Sequence, residues 1–482
     1  MKKILFHICV FVALAATVVV TSCSQKETNS VVVPSKSILV SMPGESGTTT
    51  FDSHNITSLD PITVPKGWTV DDINMYASTI TVTAPSSFDN EEVESGTLSL
   101  KGYTPTGNTK TVDIYVAIVP NEVDYSDAPA NCYVACEPKT RYKFDPTRGG
   151  NGSVELATAE IKLLWQTSSN LVQYLDMRDG YAKFYIAPDK DDDDKELDAV
   201  VPGNAVIGAY NEAGELIWSW HIWVTNNDPM AAENTFTLGG EVMMNHNLGA
   251  DTNNEGKADG DAIYNSYGVL YQWGRKDPIP GPNDWKFSLN YDDVVYDFEN
   301  FSAPLKYEES SKGGSIEWTT MNPLSVVIGN PDNAFDWLRS GHDDTLWSAK
   351  SKSNYDPCPH GWRVPDGKVF ESLTIAANDD AMPWEDAQKM YGWWLEDTTN
   401  GNKHFFSAAG RRNYLDGRLD NMNVNDELPV PWSGYYWSAT TDGDSAKALY
   451  FNLNTNTRTW NGIDTKRSMQ RANALPIRCV KE

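Results

Sequence analysis

The sequence is short of positive charge. Its 482 residues contain 39 Lys and Arg against 66 Asp and Glu, which gives a formal net charge of −27 at pH 7. Binding to the phosphates of nucleic acid needs basic patches, so no nucleic-acid partner is expected. The same balance argues against adhesion to anionic lipid by charge alone.

Long hydrophobic runs are also missing after the N-terminus. No later stretch of eighteen apolar residues exists, so no further segment is expected to span a membrane. The N-terminus has positive residues at Lys2 and Lys3, followed by an apolar run from Ile4 to Val20. This is the order of a signal peptide, which we place at residues 1–22.

The end of that run, Val20-Thr21-Ser22-Cys23, resembles the lipobox of bacterial lipoproteins. The resemblance implies that Cys23 becomes the acylated N-terminus, with palmitate among its acyl chains, and that residues 23–30 form a polar tether. Two or three acyl chains anchor a protein stably. We therefore expect a lipoprotein of the outer membrane of a Gram-negative cell, exposed at the surface. A soluble secretory signal with a chance cysteine is the alternative.

Recognisable catalytic motifs are absent from the sequence. It has no G-x-S-x-G elbow, H-E-x-x-H pair or P-loop, and its seven histidines are scattered. Acidic pairs of the kind that glycosidases use are abundant, but nothing singles out one pair. We expect no enzyme, and we assign no catalytic residue, no metal ligand and no cofactor.

Aromatic residues, glycine and proline are plentiful, with 17 Trp, 22 Tyr, 34 Gly and 26 Pro. Helical periodicity is scarce, which favours short strands joined by long loops. At about 150 residues per domain, the length suggests about three domains. We expect a mainly β protein with an α+β C-terminal domain.

Residues 31–120 are predicted to form an immunoglobulin-like β-sandwich. Apolar and polar residues alternate in VVVPSKSILVSM, STITVTAP, GTLSLKGYT and KTVDIYVAIV. Gly, Pro, Asn and Asp separate these segments. Several short strands at such spacing are typical of that topology.

Residues 121–228 are predicted to form a second β-rich domain. Its segment ELIWSWHIWV is almost wholly apolar, which is typical of a strand covered on both faces. We expect His221 in this strand to be buried and bonded to a backbone carbonyl rather than to a metal, because no second His or Cys cluster lies nearby. The acidic run at 189–198 lacks the glycine-enforced register of a calcium loop, so we expect a solvated loop.

Residues 229–482 contain a set of specific segments. In order these are VMMNHNLGA, YGVLYQWGRKDP, CPHGWRVP, FFSAAGRRNYLDGRL, YYWSATT, ALYFNLN and ALPIRCVKE. From about residue 236 onward, this set resembles the Fibrobacter succinogenes major paralogous domain of Bacteroidetes lipoproteins, a variant of the C-type lectin fold. Together with the domain at 121–228, the arrangement is similar to that of fimbrillin-type surface proteins of the same bacteria.

The residue pattern of this domain agrees with an α+β fold. Pro365-Asp366 can begin a helix capped by Asp366, with one face formed by Val369, Phe370, Leu373 and Ala377. Further on, Leu449, Phe451 and Leu453 alternate with Tyr450, Asn452 and Asn454, which predicts a strand with the first set facing the core.

A lectin-type fold uses a disulfide to tie its terminal strand to the start of a helix, and this implies a Cys358–Cys479 bridge. Its loop of about 120 residues is worth about 4–5 kcal/mol in the chain-entropy model. In a regular strand the Cα atoms of Cys132 and Cys136 would be about 13 Å apart, too far for a bridge. A turn between them would reverse that conclusion, so their state stays open.

Lectin-type domains bind ligands through long loops and the outer strand face near the C-terminus. Aromatic rings stack on apolar faces and amides fix the orientation of a ligand. The resemblance therefore implies eight candidate ligand-binding residues: Tyr435, Tyr436, Tyr450, Asn452, Asn454, Arg458, Trp460 and Asn461. The neighbouring Trp437 is expected in the core.

Calcium-dependent sugar binding is not favoured by the sequence. The lectin tripeptides that ligate calcium are missing, and in the nearest match, Trp460-Asn461-Gly462, glycine replaces the acidic ligand. The stretch 251–261, DTNNEGKADGD, is rich in oxygen ligands but lacks the bidentate Glu at position twelve of an EF-hand loop. Calcium binding is left open. The related formylglycine-generating oxidases use redox-active thiols, whereas both cysteines of this domain are assigned to the bridge.

Three hypotheses for function follow. The first is an adhesion protein, fimbria-associated in one version, that presents a lectin-like head to a glycan or protein ligand on host or neighbouring cells. The second is a structural pilus subunit whose partners are other fimbrial subunits. The third is a glycan-capture lipoprotein of a nutrient uptake system.

Overall fold

The computed structural model describes residues 29–86, 94–193, 195–254, 260–282, 293–296, 302–375, 391–420, 422–423, 430–453 and 462–482. Within them the chain is predominantly β, and it divides into two compact units between Val119 and Pro120. None of the helices in these ranges is both long and apolar enough to cross a membrane. The predicted signal peptide and Cys23 lie outside the described residues.

The first unit is built of short strands. In chain order they are β1 (Ser30–Val32), β2 (Ser37–Val40), β3 (Ser46–Thr50), β4 (Asp52–His54), β5 (Ser58–Thr63), β6 (Thr69–Asn74), β7 (Thr79–Thr83), β8 (Ser95–Tyr103) and β9 (Thr109–Ile118). One sheet has the order β2-β9-β8-β5 and another the order β3-β7-β6, while β1 pairs with β4. Strand β2 is parallel to β9. This is an immunoglobulin-like strand order, as predicted.

Alternating residues of both sheets form the core of this sandwich. Leu98 and Leu100 of β8 and Ile80 and Val82 of β7 are buried. The sheets approach closely where β3 passes β2. A Cβ atom added at Gly47 would lie only 2.5 Å from Cγ2 of Ile38. The alternation read from the sequence is therefore the alternation between core and solvent.

The second unit begins with another set of strands. They are β10 (Asn121–Asp124), β11 (Cys132–Ala135), β12 (Thr140–Phe144), β13 (Arg148–Gly149), β14 (Val154–Glu155), β15 (Glu160–Gln166), β16 (Gln173–Arg178), β17 (Tyr181–Ile186), β18 (Pro188–Lys190), β19 (Glu196–Val200), β20 (Gly203–Tyr210) and β21 (Leu216–Val224).

Its remaining elements are shorter and more irregular. The strands are β22 (Thr235–Leu238), β23 (Glu241–Met244), β24 (Val269–Gln272), β25 (Ile279–Pro280), β26 (Asp293–Tyr296), β27 (Ser302–Pro304), β28 (Lys306–Glu309), β29 (Ser325–Ile328), β30 (Trp362–Arg363), β31 (Leu373–Ile375), β32 (Gly392–Asp397), β33 (Lys403–Ser407), β34 (Met422–Asn423), β35 (Val430–Pro431), β36 (Ser433–Asp442), β37 (Ser445–Asn452), β38 (Ile463–Met469), β39 (Ala474–Leu475) and β40 (Val480–Lys481). The α-helices are α1 (Gly260–Tyr264), α2 (Ser310–Gly313) and α3 (Ile316–Met321), and 3₁₀ turns span Ala232–Asn234, Pro331–Asn333 and Gly367–Phe370.

The first part of this unit is a second sandwich. One sheet has the order β10-β12-β17-β16 and the other β11-β21-β20-β15-β26-β27. Strand β11 is parallel to β21, so β11-β21-β20-β15 and β12-β17-β16 repeat the strand order of the first unit. Aromatic residues fill the core between the sheets; the rings of Phe144 and Trp220 meet edge to face at 4.9 Å.

The opposite face of β21 is buried against residues beyond 228. Ser219 donates a hydrogen bond to Asp277 at 2.5 Å, and the Trp223 indole donates to the carbonyl of Ala250 at 3.0 Å. The prediction of a strand covered on both faces is therefore confirmed. The predicted boundary between 228 and 229 requires correction, because 121–228 and 229–482 form one packed body with a shared core.

The ends of segment 229–482 come together. Met243 of β23 and Arg363 of β30 both pair with Val480 of β40. The predicted bridge between Cys358 and Cys479 is present, with the Cα atoms 6.0 Å apart. The last strand is therefore held by backbone pairing on two sides and by a disulfide.

One sequence expectation changes in this unit, and one open question is answered. Asp366 caps its turn as predicted by accepting a hydrogen bond from the Lys368 amide, but the helix stops at Phe370. The chain then enters β31, where Leu373 pairs with Asp397, so sheet pairing replaces the predicted helix. Ala377 lies outside the described residues. The open question of Cys132 and Cys136 is resolved, since both are free thiols.

Candidate functional site

The three-stranded sheet β36-β37-β38 positions all four of the predicted ligand-binding residues that the structure describes. Leu449, Phe451 and Leu453 are buried in the core on one side, while Tyr450 and Asn452 are half-buried on the other. The alternation predicted for this strand is confirmed. The side of the sheet that carries Tyr450 and Asn452 is therefore the candidate binding face.

A tyrosine–arginine patch lies on this face, and we define it as Arg411, Tyr435, Tyr450, Asn452 and Arg467. Tyr435 and Tyr450 are directly opposite each other on β36 and β37, with ring centroids 4.9 Å apart. The guanidinium carbon of Arg411 lies 5.3 Å from the Tyr435 ring centroid, and that of Arg467 lies 5.3 Å from the Tyr450 ring centroid. The patch thus has two adjacent aromatic rings with a cation beside each of them, an attractive arrangement.

Hydrogen bonds fix the orientation of the patch. The Arg411 guanidinium donates to Asp420 at 2.6 and 3.2 Å and to Asn473 at 3.3 Å. The Asn452 amide donates to the Tyr450 hydroxyl at 3.0 Å. These contacts hold the side chains in place before any ligand arrives, which reduces the entropy lost on binding.

Exposure divides the patch into a support and a contact surface. Tyr435 is only 5% exposed, and burial raises the pKa of its hydroxyl to about 12. The side chain of Arg467 is 50% exposed, and Tyr450 and Asn452 are half-buried. Tyr450, Asn452 and Arg467 are therefore the groups that a ligand can touch, while Tyr435 and Arg411 support them.

Tyr436 requires a correction. Its side chain is fully buried, and its hydroxyl donates to the carbonyl of Ser407 at 2.8 Å. Because successive residues of a strand point to opposite faces, Tyr436 cannot share a surface with Tyr435. It packs instead against Phe406, edge to face at 5.1 Å. The next residue, Trp437, is a core residue as predicted, and its indole donates to the carbonyl of Tyr271 at 2.8 Å.

The other predicted ligand-binding residues cannot be placed. Asn454, Arg458, Trp460 and Asn461 lie outside the described residues. Two patch members were missed by the sequence reasoning, Arg411 and Arg467. Arg411 lies within the segment FFSAAGRRNYLDGRL, whose paired arginines and following Asp420 were the available signal.

His221 is buried as predicted, but its partners differ from the prediction. Its imidazole contacts the side chains of Asn204 and Tyr271 rather than a backbone carbonyl, because both are buried against the same face of β21. No group of three His, Cys, Asp or Glu side chains with metal-binding geometry occurs among the described residues.

The acidic run at 189–198 spans the β18–β19 hairpin. At its turn Asp191 accepts hydrogen bonds from the backbone amides of Asp193 and Lys195. Asp191, Asp192 and Asp193 are exposed, as expected for a solvated loop, and Asp194 lies outside the described residues.

Comparison with known proteins does not identify a family. No family model and no curated protein sequence matches the chain. Similar solved structures include the D00-D0 domain of intimin (TM-score 0.19, 10% identity, 40% of this chain and 96% of that chain) and mouse clustered PcdhgC3 EC1-3 (0.18, 13%, 41% and 68%). A third is SGBP-B of the Bacteroides ovatus mixed-linkage glucan utilization locus in complex with a mixed-linkage heptasaccharide (0.13, 11%, 45% and 53%). TM-scores this low assign no family to the chain.

Proposed function

We propose that this protein is a non-enzymatic binding protein of the outer cell surface, anchored through Cys23, that recognises a glycan or polypeptide through the tyrosine–arginine patch. The observation that carries the proposal is the ordered stack of Arg411, Tyr435, Tyr450 and Arg467 beside the Asn452 amide. It combines ring edges, a cation and an amide donor at one partly exposed position. Such groups bind and orient a ligand without transforming it.

The C-type lectin-like assignment of 229–482 is part of this proposal. It is supported by the pairing of β23 with β40, which brings the ends of the segment together. The bridge from Cys358 to Cys479 supports it as well. In this view the patch lies on the face of the lectin-type central sheet, β36-β37-β38, that carries Tyr450 and the buried Tyr435.

The chemistry of the free thiols bears on the alternative of a thiol-dependent enzyme. Burial raises the pKa of both thiols, that of Cys136 to about 12. A catalytic cysteine needs a lowered pKa, because the thiolate is the nucleophile. Neither thiol therefore supports an oxidase of the formylglycine-generating kind.

The patch is tested by applying the intact chain to arrays of glycans and of extracellular proteins. We expect binding that Tyr450→Ala and Arg467→Ala each weaken at least tenfold, because each removes one exposed group of the stack. Tyr115→Ala is the matched control, since Tyr115 is 48% exposed on the first unit. Binding that survives both patch substitutions, or a ligand recovered chemically altered, would contradict the proposal.

The anchor needs a separate experiment in cells. Metabolic labelling with a palmitate analogue should mark the wild-type protein and not Cys23→Ser. Protease added to whole cells should degrade the labelled protein if it faces outward. Labelled protein that resists protease until the cells are opened would place it on the periplasmic side.

A further inference from the structure

A cavity of about 250 Å³ lies in the second unit, and none of its lining residues belongs to the tyrosine–arginine patch. It forms where the loop after β15, the start of β20, helix α1 and the segments 249–251 and 280–282 meet. These segments come from both sides of the predicted boundary at 228. The cavity therefore exists only because the second sandwich and the rest of the unit pack as one body.

Glycines allow the segments around this cavity to pack closely against each other. A Cβ atom added at Gly249, where φ is +81°, would lie 2.5 Å from Oδ1 of Asn204. One added at Gly281 would lie 2.6 Å from the carbonyl oxygen of Gly268. Glycine at these two positions thus permits the close approach of the segments that line the cavity.

The polar groups around the cavity are neutral or acidic. Two carboxylates line it, those of Asp251 and Asp261, which are the first and last residues of the oxygen-rich stretch noted in the sequence. Hydroxyls are supplied by Thr167 and Ser168 and an amide by Asn265. The described lining contains no Lys, Arg or His. An anionic ligand is therefore disfavoured by charge.

Local bonding fixes the Asp251 carboxylate at the cavity. Its Oδ1 accepts hydrogen bonds from the Thr225 hydroxyl at 3.0 Å and from the Asn226 amide at 2.8 Å. Its backbone amide donates to the carbonyl of Asn265 at 2.8 Å, which ties it to the end of α1. This carboxylate is held as a pre-positioned acceptor.

The volume of the cavity favours a small molecule over a metal ion as its ligand. Calcium takes six to eight oxygen ligands at about 2.3–2.6 Å, and a space of this size with two carboxylates does not close around it. A ligand with several hydroxyl groups can donate to both carboxylates and accept from Thr167 and Ser168. Tyr264 also lines the cavity and offers part of an aromatic ring to an apolar ring face.

We propose that this cavity binds one neutral, hydroxyl-rich ring of about the size of a single pyranose. The site is independent of the patch and of its ligand. The protein thus has a second binding site, separate from the patch, that takes one sugar unit.

Titration calorimetry on the intact chain tests this proposal. The probes are the methyl α-glycosides of glucose, galactose and mannose, with sodium glucuronate as the anionic counterpart and ethanolamine and calcium chloride as the cationic ones. We expect at least one glycoside to bind saturably in the millimolar range or tighter. Glucuronate should bind at least tenfold more weakly than that glycoside.

Substitutions then locate the site. Ser168→Trp fills the cavity and should reduce glycoside affinity at least tenfold, whereas Ser169→Trp, at an exposed neighbour, should not. Asp261→Asn is a second variant, for use if Ser168→Trp lowers the yield of folded protein. It removes one carboxylate from an exposed side chain and should also weaken glycoside binding. Tyr450→Ala should leave this binding unchanged even if it abolishes binding at the patch.

Three outcomes would overturn the proposal. The first is the absence of saturable binding by all three glycosides. The second is binding that remains unchanged in both Ser168→Trp and Asp261→Asn. The third is tighter binding of calcium or ethanolamine than of any glycoside, which would identify a cation site instead.

Discussion

His221 donates the hydrogen of its Nε2 to Oδ1 of Asn204 across 2.8 Å. The direction is fixed because the Asn204 Nδ2 donates to the carbonyl of Gly249, which leaves Oδ1 as the acceptor. The Nδ1 atom then accepts from the Tyr271 hydroxyl at 3.2 Å. The imidazole is therefore a neutral crosslink between β20, β21 and β24, and a second proton on Nδ1 would force the Tyr271 hydroxyl to accept instead of donate.

This crosslink predicts a loss of stability in acid. Burial lowers the pKa of His221 to about 3, against an ordinary value of about 6.5 in the unfolded chain. The unfolded state therefore binds more protons between these values. The stabilisation is complete above pH 6.5 and is lost as the pH falls toward 3, at about 1.4 kcal/mol per pH unit. Urea unfolding between pH 7.5 and 4.5, followed by tryptophan fluorescence, measures it.

The control for this prediction is His221→Gln. Two other histidines contribute in the same direction, because burial lowers the pKa values of His246 and His404 to about 4. The His221→Gln variant should be less stable than the wild-type protein at neutral pH. As the pH falls, its free energy of unfolding should decrease less steeply, with a slope that corresponds to about one proton fewer. Equal slopes in the two proteins would show that His221 is protonated in the folded state.

The disulfide gives a second prediction. Removing it with the paired substitution Cys358→Ser and Cys479→Ser should cost about 2–5 kcal/mol of unfolding free energy, because the bridge joins positions 121 residues apart. A non-reduced peptide digest should contain the linked fragments. Cys136→Ser, at a half-buried free thiol, is the control and should cost less. Alkylation of Cys358 in the native protein would contradict the prediction.

Fragments test the corrected domain boundary. Residues 29–119 should fold alone, because their core lies between their own two sheets. Residues 120–228 should not, because Ser219, His221 and Trp223 would lose the groups that cover them. Thermal unfolding followed by circular dichroism should be cooperative for the first fragment only. A cooperative transition in the second would restore the boundary at 228.

Two glycines with similar backbone angles form a matched pair. Gly249 and Gly214 have φ values of +81° and +76°. Gly214→Ala should cost about 1 kcal/mol from backbone strain alone, since nothing lies within 4 Å of the added Cβ. Gly249→Ala should cost more, because its Cβ collides with Asn204 and disturbs His221. If Gly214→Ala and Gly249→Ala have equal midpoints in chemical unfolding, Asn204 moves aside without cost.

Local patterns predicted much of this fold. The alternation in β37 follows from a period of two, and the apolar run of β21 follows from burial on both faces. The Cys358–Cys479 pair came from the family resemblance rather than from the local pattern, since connectivity does not follow from spacing.

The sequence could not predict which face of a strand another segment covers. Tyr435 and Tyr436 look alike in the sequence, but packing buries one in each of two cores. The boundary at 228 failed for the same reason, because β21 finds its partners 27 to 58 residues later in the chain, from Ala250 to Asp277. Arg411 reaches Tyr435 only through tertiary structure.

The two sandwiches share a strand order, but they differ in when their strands are covered during synthesis. In the first, the last strand β9 completes the sheet and leaves Tyr115 in water. In the second, β21 is finished long before the chain reaches Val480, whose strand closes the unit. During synthesis, the face of β21 that carries Ser219, His221 and Trp223 therefore emerges before the residues that cover it, whereas Trp218 and Trp220 are covered by the second sandwich itself.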